Sequence, residues 1–358
     1  MARLYTQIEK DGQLYCRPSP LEEDVHFTIE NGVLRVSAKT SSLGPGYHAH
    51  LANSLRKLAD ANGFEWQEDE EYFDETGYFS NDNFEVLQSE HDKIGHSLAG
   101  LLIKQAELGM NNFRLGLPAD FNVMGLNDFA LTSLGPRPKS FFENFSAEAY
   151  FIWWEKNLSP QTRQYMAEAL LWSELSWAAP LAPHDQVLAA TALELTTDLE
   201  LPWQAELRSL IDAQKPRAPT LDGIGYKRHH FRRRGTGHWT LLVPGYFELE
   251  ADDDKLIWWW SNRSIYFSSL SFNGSRSATN EIRKEKRYDF SEEANGCMYS
   301  AKFSTDSEDE SYIHLHGTVE AEGTVAILTI TMGDPSDREW ALDILRSVRL
   351  SPPAADTN

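Results

Sequence analysis

The clearest pattern near the start of the chain is an alternation of apolar and polar residues on both sides of Asn31-Gly32. Asn-Gly favours a type I′ turn, because both central positions of that turn need a positive φ. A two-residue turn pairs Ile29 with Leu34, and the alternation then places the apolar side chains of both segments on one face. The pattern therefore predicts a β-hairpin over 25–38.

Helical periodicity dominates the next part of the chain. A Ser159-Pro160 pair places an N-cap residue before a proline at the first helical position, where the missing N–H costs nothing. In the long segment 84–108, the side chains expected to face the core are Ile94, Leu98, Leu101, Leu102 and Ala106. Gly63 and Gly109 are placed to end helices. The predicted helices span 47–62, 84–108, 159–178, 184–197 and 203–212.

After residue 237 the period of the pattern changes to two, which is typical of strands. Residues 319–324 form a predicted hairpin turn, and a closing helix is expected over about 336–348, capped by Asp334 or Ser336. A short strand is also expected at 113–118. The later predicted strands are 239–242, 246–249, 256–260, 264–272, 298–303, 312–319 and 325–332.

These patterns predict an α+β fold. The N-terminal part, 1–214, combines the β-hairpin with a mostly helical bundle, and the C-terminal part, 238–350, is an antiparallel β-sheet module with a closing helix. Pro, Gly and basic residues punctuate 215–237, which we interpret as a linker between two domains. Residues 351–358 are predicted to be a disordered tail.

Charge and composition narrow the function. The chain carries 33 basic and 54 acidic residues, a formal charge of −21, which disfavours a nucleic-acid partner. The N-terminus has no apolar run typical of a signal peptide, and no segment is long and apolar enough to span a membrane. Two cysteines, Cys16 and Cys297, exclude a disulfide-stabilised secreted scaffold. We therefore expect a cytoplasmic protein without cofactors.

An acidic stretch with interleaved aromatic rings is the first candidate site. Negative charge with rings between the acids suits a basic protein surface, because the charge steers association and the rings supply apolar contacts. The predicted partner-binding residues in this stretch are Trp66, Glu68, Asp69, Glu70, Glu71, Tyr72, Phe73, Asp74 and Glu75. A solvated surface loop is the alternative.

The run Trp258-Trp259-Trp260 extends this prediction to the sheet. Strand alternation sends Trp258 and Trp260 to one face and Trp259 to the other. Tryptophan is enriched at protein contact sites, so Trp258 and Trp260 are also candidate partner-binding residues, while core packing is the alternative.

Histidines supply the candidate chemistry. His314 and His316 are two residues apart on a predicted strand, so their side chains point the same way and offer a metal pair that still needs further ligands. On a helix, His48 and His50 point apart, so they cannot hold one metal. Asp92 and His96 share a helical face, where a surface ion pair is the simplest interpretation.

The basic run 227–234 interrupts an otherwise acidic chain. It suits a phosphate site or internal charge pairing, and the net charge favours the second. The sequence contains no phosphate-binding loop, dinucleotide fingerprint, nucleophile elbow, His-Glu-x-x-His or Cys-x-x-Cys motif. We therefore expect no catalytic residues.

The segment from Trp239 to Tyr246, the meander after it and the ending 334–342 resemble the PsbP-like fold of small bacterial binding modules, which implies no common active site. An acidic chain without catalytic motifs also resembles bacterial immunity proteins, which bind and block a toxin domain. The expected function is therefore non-catalytic: an immunity protein that binds and neutralises a basic toxin domain. A metal-dependent hydrolase around His314 and His316, or a small-ligand-binding module, is the alternative.

Overall fold

Helices and antiparallel strands succeed one another along the part of the chain that the computed structural model describes. The described residues are 6–10, 13–17, 21, 24–30, 32–67, 73–118, 121–126, 129–252, 255–271, 288–305, 311–321 and 323–351. The predicted α+β fold is confirmed, with a β-hairpin and many helices before residue 215 and an antiparallel sheet with a closing helix after residue 237. The predicted tail lies outside the described residues from 352 onward.

The N-terminal half contains short sheets and most of the helices. Its strands are β1 (Thr6–Lys10), β2 (Gln13–Arg17), β3 (Val25–Glu30), β4 (Val33–Ser37), β5 (Phe113–Leu115), β6 (Ala130–Thr132) and β7 (Gly135–Arg137). Its helices are α1 (Pro45–Asn62), α2 (Tyr78–Asn81), α3 (Phe84–Glu107), α4 (Lys139–Glu143), α5 (Ala147–Tyr150), α6 (Pro160–Ser173), α7 (Pro183–Leu195) and α8 (Gln204–Ile211).

The predicted hairpin is confirmed as β3 and β4, with Ile29 opposite Leu34. It belongs to a four-stranded meander in the order β1-β2-β3-β4, whose first two strands the sequence pattern did not predict. Burial along the apolar face is uneven: Val25 is buried and Phe27 is half-buried, whereas Ile29 near the turn is exposed. Shared orientation on a strand therefore does not by itself bury a residue.

Helix positions agree with the predictions better than helix orientations do. The Ser159 side chain accepts a hydrogen bond from Thr162 N, which confirms the predicted cap, although α6 ends at Ser173 and not near 178. The sequence predicts an apolar stripe of Leu51, Leu55 and Leu58 on α1. This prediction is partly wrong: Leu51 is buried, but Leu58 is exposed while Ala49, Ala52 and Ala59 are buried.

The predicted orientation of α3 is also partly wrong. Leu102 is buried as predicted, but Ile94 and Leu101 are exposed. Beside Leu87 and Leu102, the buried side of α3 contains the small or polar residues His91, Gly95 and Ala99. A Cβ atom at Gly95 would lie 2.6 Å from Cζ of Phe145, so the absence of a side chain there lets the aromatic ring pack directly on the helix.

The C-terminal half is built mainly from strands. They are β8 (His230–Arg234), β9 (Trp239–Pro244), β10 (Glu248–Asp252), β11 (Lys255–Trp260), β12 (Arg263–Ser271), β13 (Phe290–Ala294), β14 (Cys297–Thr305), β15 (Ile313–Ala321), β16 (Thr324–Met332) and β17 (Arg349–Leu350). Seven of them form an antiparallel sheet in the order β10-β11-β12-β16-β15-β14-β13. Two meanders therefore meet where β12 pairs with β16.

The closing helix α9 (Arg338–Ser347) covers one face of this sheet. The Asp334 side chain accepts a hydrogen bond from Ser336 N and so caps the short 3₁₀ turn Pro335–Asp337, whereas α9 itself begins after Asp337 without a side-chain cap, so neither predicted residue caps the helix directly. Ile344 and Leu345 are buried against the sheet. A Cβ atom added at Gly317 of β15 would lie 2.7 Å from Cδ1 of Leu345, so the helix packs directly on the strand at this glycine. The helix and the sheet thus share one apolar core.

The segment predicted as a linker contains ordered structure. It includes a 3₁₀ turn at Tyr226–Arg228 and strand β8, which pairs with β9. On its other side, β8 is bound to the N-terminal half: Arg232 N donates to Asn122 O at 2.8 Å, and Met124 N donates to His230 O at 2.8 Å. Residues 226–234 therefore contact both halves of the chain.

Candidate functional site

The acidic stretch is attached to the rest of the protein at helix α2. Trp66 packs edge-to-face on the ring of Phe79, with centroids 5.5 Å apart. From the other side, the Asp74 carboxylate accepts a hydrogen bond from Phe79 N at 2.7 Å. Both ends of the stretch therefore converge on α2, while residues 68–72, which include five of the predicted partner-binding residues, lie outside the described residues.

His48 of α1 fixes the second end of the stretch. Its Nε2 lies 3.2 Å from Asp74 Oδ2, and its Nδ1 lies 2.8 Å from Thr40 Oγ1. Thr76 donates to Asp74 Oδ1 through both its backbone N, at 2.9 Å, and its hydroxyl, at 2.7 Å. Asp74 is thus held by several donors of the same chain. Its carboxylate is mostly buried among them and positions this part of the chain.

The hydrogen bonds also set the ionisation of Asp74. Burial alone would raise the pKa of this carboxyl group, but the hydrogen bonds from His48, Phe79 N and Thr76 outweigh burial and hold the pKa well below its usual range. Asp74 is therefore ionised at any ordinary pH and keeps these hydrogen bonds.

Arg56 fastens α2 to α1. Its guanidinium lies 5.4 Å from the ring centroid of Tyr78 and 5.1 Å from that of Phe79. It also donates to the backbone oxygen of Tyr78 at 2.9 Å and forms an ion pair with Asp82 at 3.3 Å. Arg56 therefore holds α2 in place, while its acidic partner Asp82 remains exposed to solvent.

What remains at the surface is a pair of aromatic rings with acidic neighbours. Phe64 is 51% exposed and Phe73 is 57% exposed. Glu65 and Glu75, which lie beside them in sequence, are also exposed. We call these four residues the acidic aromatic surface. Apolar rings held in solvent between carboxylates are costly for a free protein and typical of contact sites.

The tryptophan run in β11 contributes less to a contact surface than predicted. Trp258 is 2% exposed and packs in the core of the sheet, with its ring 6.4 Å from that of Phe267. Trp260 is half-buried, with its ring 5.1 Å from that of Tyr246. Trp259, on the opposite face, is the exposed member. The partner-binding role predicted for Trp258 is therefore corrected, because its ring is enclosed.

His314 and His316 lie side by side on β15, with ring centroids 6.0 Å apart. Both rings are engaged with hydroxyl groups: His314 Nδ1 lies 3.1 Å from Thr331 Oγ1, and His316 Nε2 lies 3.0 Å from Ser304 Oγ. Among the described residues, no group of three or more His, Cys, Asp or Glu side chains is arranged to hold a metal ion. The acidic residues nearest to this pair in sequence, 306–310, lie outside the described residues.

The other histidines of interest have separate surroundings. His50 packs against Trp153, with centroids 5.1 Å apart, and burial lowers its pKa. Asp92 and His96 form an exposed ion pair at 3.3 Å on α3. His96 also lines an open groove of about 520 Å³ between α3 and α4. We assign no chemistry to these groups.

The basic run is taken up in internal contacts. The Arg228 guanidinium stacks on Trp177 at 3.9 Å, and its Nη2 lies 2.8 Å from Glu206 Oε2. Arg232 donates to the backbone oxygen of Ser347 at 2.6 Å. These contacts favour the structural interpretation of the run over a phosphate site.

Two features of the candidate site were missed by sequence reasoning. Phe64 lies one residue before the acidic stretch, directly after the helix-ending Gly63, and its position beside Glu65 was the available signal. The contact between His48 and Asp74 joins residues 26 positions apart. No local pattern indicates such a pair, because it forms only when α2 folds back on α1.

Comparison with known proteins adds no family. No family model and no curated protein matches the sequence. A crystal structure of a protein from Bacteroides thetaiotaomicron is similar over 33% of this chain and 47% of its own length, about half, with 8% identity and a TM-score of 0.29. The Saccharomyces cerevisiae Ran-binding protein Mog1p is similar over 32% of this chain and 90% of its own, with 8% identity and a TM-score of 0.22. Likeness this low carries no argument about function.

None of the helices formed by the described residues is both long enough and apolar enough to cross a bilayer.

Proposed function

We propose that this chain is a non-catalytic interaction protein that binds a basic protein partner through the acidic aromatic surface. The observation that carries the proposal is the exposure of Phe64 and Phe73, at 51% and 57%, next to the exposed carboxylates of Glu65 and Glu75. The chain neighbours of these rings, Trp66 and Asp74, both contact Phe79 of α2, which Arg56 holds against α1.

The two kinds of side chain have separate roles in this proposal. Residues 65–75 contain seven acidic residues and no Lys or Arg, within a chain of formal charge −21. Such a field accelerates the approach of a cationic surface and weakens as salt is added. Burial of each phenyl ring then stabilises the complex by about 1–2 kcal/mol, which slows dissociation.

The more specific role that we propose is that of a cytoplasmic bacterial immunity protein, which neutralises a basic toxin domain by covering it. Support for this role comes from the acidic charge and from the absence of the common catalytic motifs in the sequence. The test is co-expression with the toxin encoded nearest to the gene. Survival that depends on this chain supports the role, and growth arrest in its presence contradicts it.

The binding proposal is tested by affinity capture from the native host, followed by surface-plasmon kinetics with the purified partner. Phe64→Ser with Phe73→Ser is expected to raise the dissociation rate by about tenfold or more. Glu65→Gln with Glu75→Gln is expected to lower the association rate several-fold at low salt and much less at high salt. The matched controls are Leu221→Ser and Glu250→Gln, an exposed apolar and an exposed acidic residue elsewhere.

The outcomes separate the proposal from its alternatives. A stoichiometric basic partner whose kinetics respond to the paired variants and not to the controls supports it. A partner that binds the paired variants with unchanged kinetics places the contact elsewhere on the molecule. Recovery of no stoichiometric partner contradicts the proposal.

A further inference from the structure

Helix α3 carries an exposed apolar stripe that the fold does not use. Val86, Ile94, Leu101 and the capping residue Leu108 are 43–72% exposed. They are separated by eight, seven and seven residues, and seven residues are close to two helical turns, so the four side chains follow one side of the helix. The buried residues Gly95, Ala99 and Leu102 of α3 lie on the other side, and the buried Leu87 lies at the edge of the stripe beside Ile94.

Polar residues on the same side complete a regular face. Glu90, Ser97 and Lys104 fall between the apolar residues at spacings of three and four, so the face reads Val86, Glu90, Ile94, Ser97, Leu101, Lys104 and Leu108. Ser97 and Lys104 are exposed, and the side chain of Glu90 is half-exposed beside Lys93. At about 1.5 Å per residue, the 24 residues of α3 extend this face over roughly 36 Å.

The order of residues on this face is complementary to itself when reversed. A two-fold axis at Ser97 places Val86 opposite Leu108 of a second copy, Glu90 opposite Lys104 of that copy, and Ile94 within one residue of its Leu101. Apolar residues therefore face apolar residues. Glu90 of each copy faces Lys104 of the other copy, so the symmetric pair contains two such ion pairs. A parallel arrangement would instead oppose Glu90 to Glu90 and Lys104 to Lys104, which is repulsive.

We infer that α3 binds α3 of a second copy of this chain in an antiparallel, two-fold symmetric pair. One helix pair is at the lower end of the size range of stable interfaces, so the dissociation constant is expected to be micromolar. The net charge of −21 on each copy opposes association at low salt. At 0.15 M salt the screening length is about 8 Å, so repulsion between the remote parts of two copies is largely removed.

Sedimentation velocity of the full chain at physiological salt, from about 1 to 100 μM, tests the inference across the expected micromolar range. The wild-type chain is expected to change from monomer to dimer across that range. Leu101→Glu is expected to weaken dimerisation by at least about tenfold, because a carboxylate would be buried at the centre of the pair. The matched control, Leu221→Glu, changes an exposed leucine outside α3 and is expected to have no effect.

Charge exchange tests the register of the pair. Glu90→Lys and Lys104→Glu are each expected to weaken dimerisation by about threefold to tenfold, and the double variant is expected to recover most of the loss. Far-UV circular dichroism of every variant verifies that the helices remain folded. A wild-type chain that stays monomeric at the highest concentration overturns the inference, and so does a dimer that Leu101→Glu leaves intact. Failure of the double variant to recover contradicts the antiparallel register.

Discussion

Replacing Arg228 with alanine tests whether the basic run has a structural role. The side chain of Arg228 is 0% exposed, its guanidinium lies 3.9 Å from the ring centroid of Trp177, and its Nη2 lies 2.8 Å from Glu206. Its Nε also donates to Ile224 O at 2.7 Å. Truncation to alanine removes all of these contacts at once and leaves a void beside Trp177.

The expected loss in the free energy of unfolding follows from the contacts that Arg228 makes. A desolvated cation–π contact is worth about 2 kcal/mol. Each hydrogen bond to a buried backbone oxygen adds about 1 kcal/mol. Glu206 is 44% exposed and regains water, so its loss of a partner costs little. We therefore expect Arg228→Ala to lower the free energy of unfolding by about 3–5 kcal/mol.

Urea-induced unfolding of the full chain, followed by far-UV circular dichroism, measures this loss. Arg228→Lys keeps the charge but lacks the planar fork, so it should recover only part of the stability. Arg234→Ala, at an exposed position of the same run, is the matched control and is expected to stay within about 0.5 kcal/mol of wild type. If Arg228→Ala also stays within about 1 kcal/mol of wild type, the structural role assigned to this residue is refuted.

Three further substitutions test the hydrogen bonds of Asp74 and the packing of α3. Because its hydrogen bonds hold the pKa of Asp74 below the unfolded-state value of about 3.9, Asp74 stabilises the fold above that pH and loses this contribution as the pH falls further. Asp74→Asn is therefore expected to lower the melting temperature at pH 7 and to reduce the loss of stability on acidification below about pH 4, and an equal difference from wild type at both pH values would contradict this. Gly95→Ala is expected to destabilise by about 1–2 kcal/mol despite better helix propensity, because the new Cβ would lie 2.6 Å from the Phe145 ring. Gly100→Ala, whose Cβ has no neighbour within 4 Å, should instead stabilise α3 by about 0.5–1 kcal/mol in the same thermal unfolding assay, and a similar shift for both variants would disprove the packing argument.

The sequence predicts best the features that depend on neighbouring residues. The turn of the β3-β4 hairpin, the Ser159 cap of α6 and the Asp334 cap before α9 each follow from side chains within a few positions. These local preferences are realised in the structure because they agree with the tertiary packing around them.

The orientation of α3 shows where sequence reasoning fails. Hydrophobic periodicity places Ile94 and Leu101 inside, yet the core lies against Gly95 and Ala99. A helix can bury either large apolar residues or small ones that admit a neighbouring ring, and only the position of Phe145 decides between them. Apolar residues left outside by such packing are the ones most available for contact with another molecule.

The candidate site was predictable in composition but not in geometry. The acidic stretch and the ring of Phe73 are evident in the sequence, and the structure shows that this ring is exposed. The role of Asp74 differs from the others in the stretch, because its carboxylate is taken by His48 and by two backbone N–H groups. The closed surroundings of Trp258 likewise depend on strand pairing and on the helix above the sheet.

Strand β8 limits where the chain can be divided into separately expressed fragments. It exchanges backbone hydrogen bonds with residues 122–124 on one side and with β9 on the other, and the carbonyl of Ser347 accepts from its Arg232. A fragment that starts at residue 238 would lack this strand and present the unpaired edge of β9 to other molecules, which is a template for aggregation. Separate expression of the C-terminal sheet should therefore begin before Tyr226, and even then Phe231 would lose the aromatic neighbour that Phe121 provides.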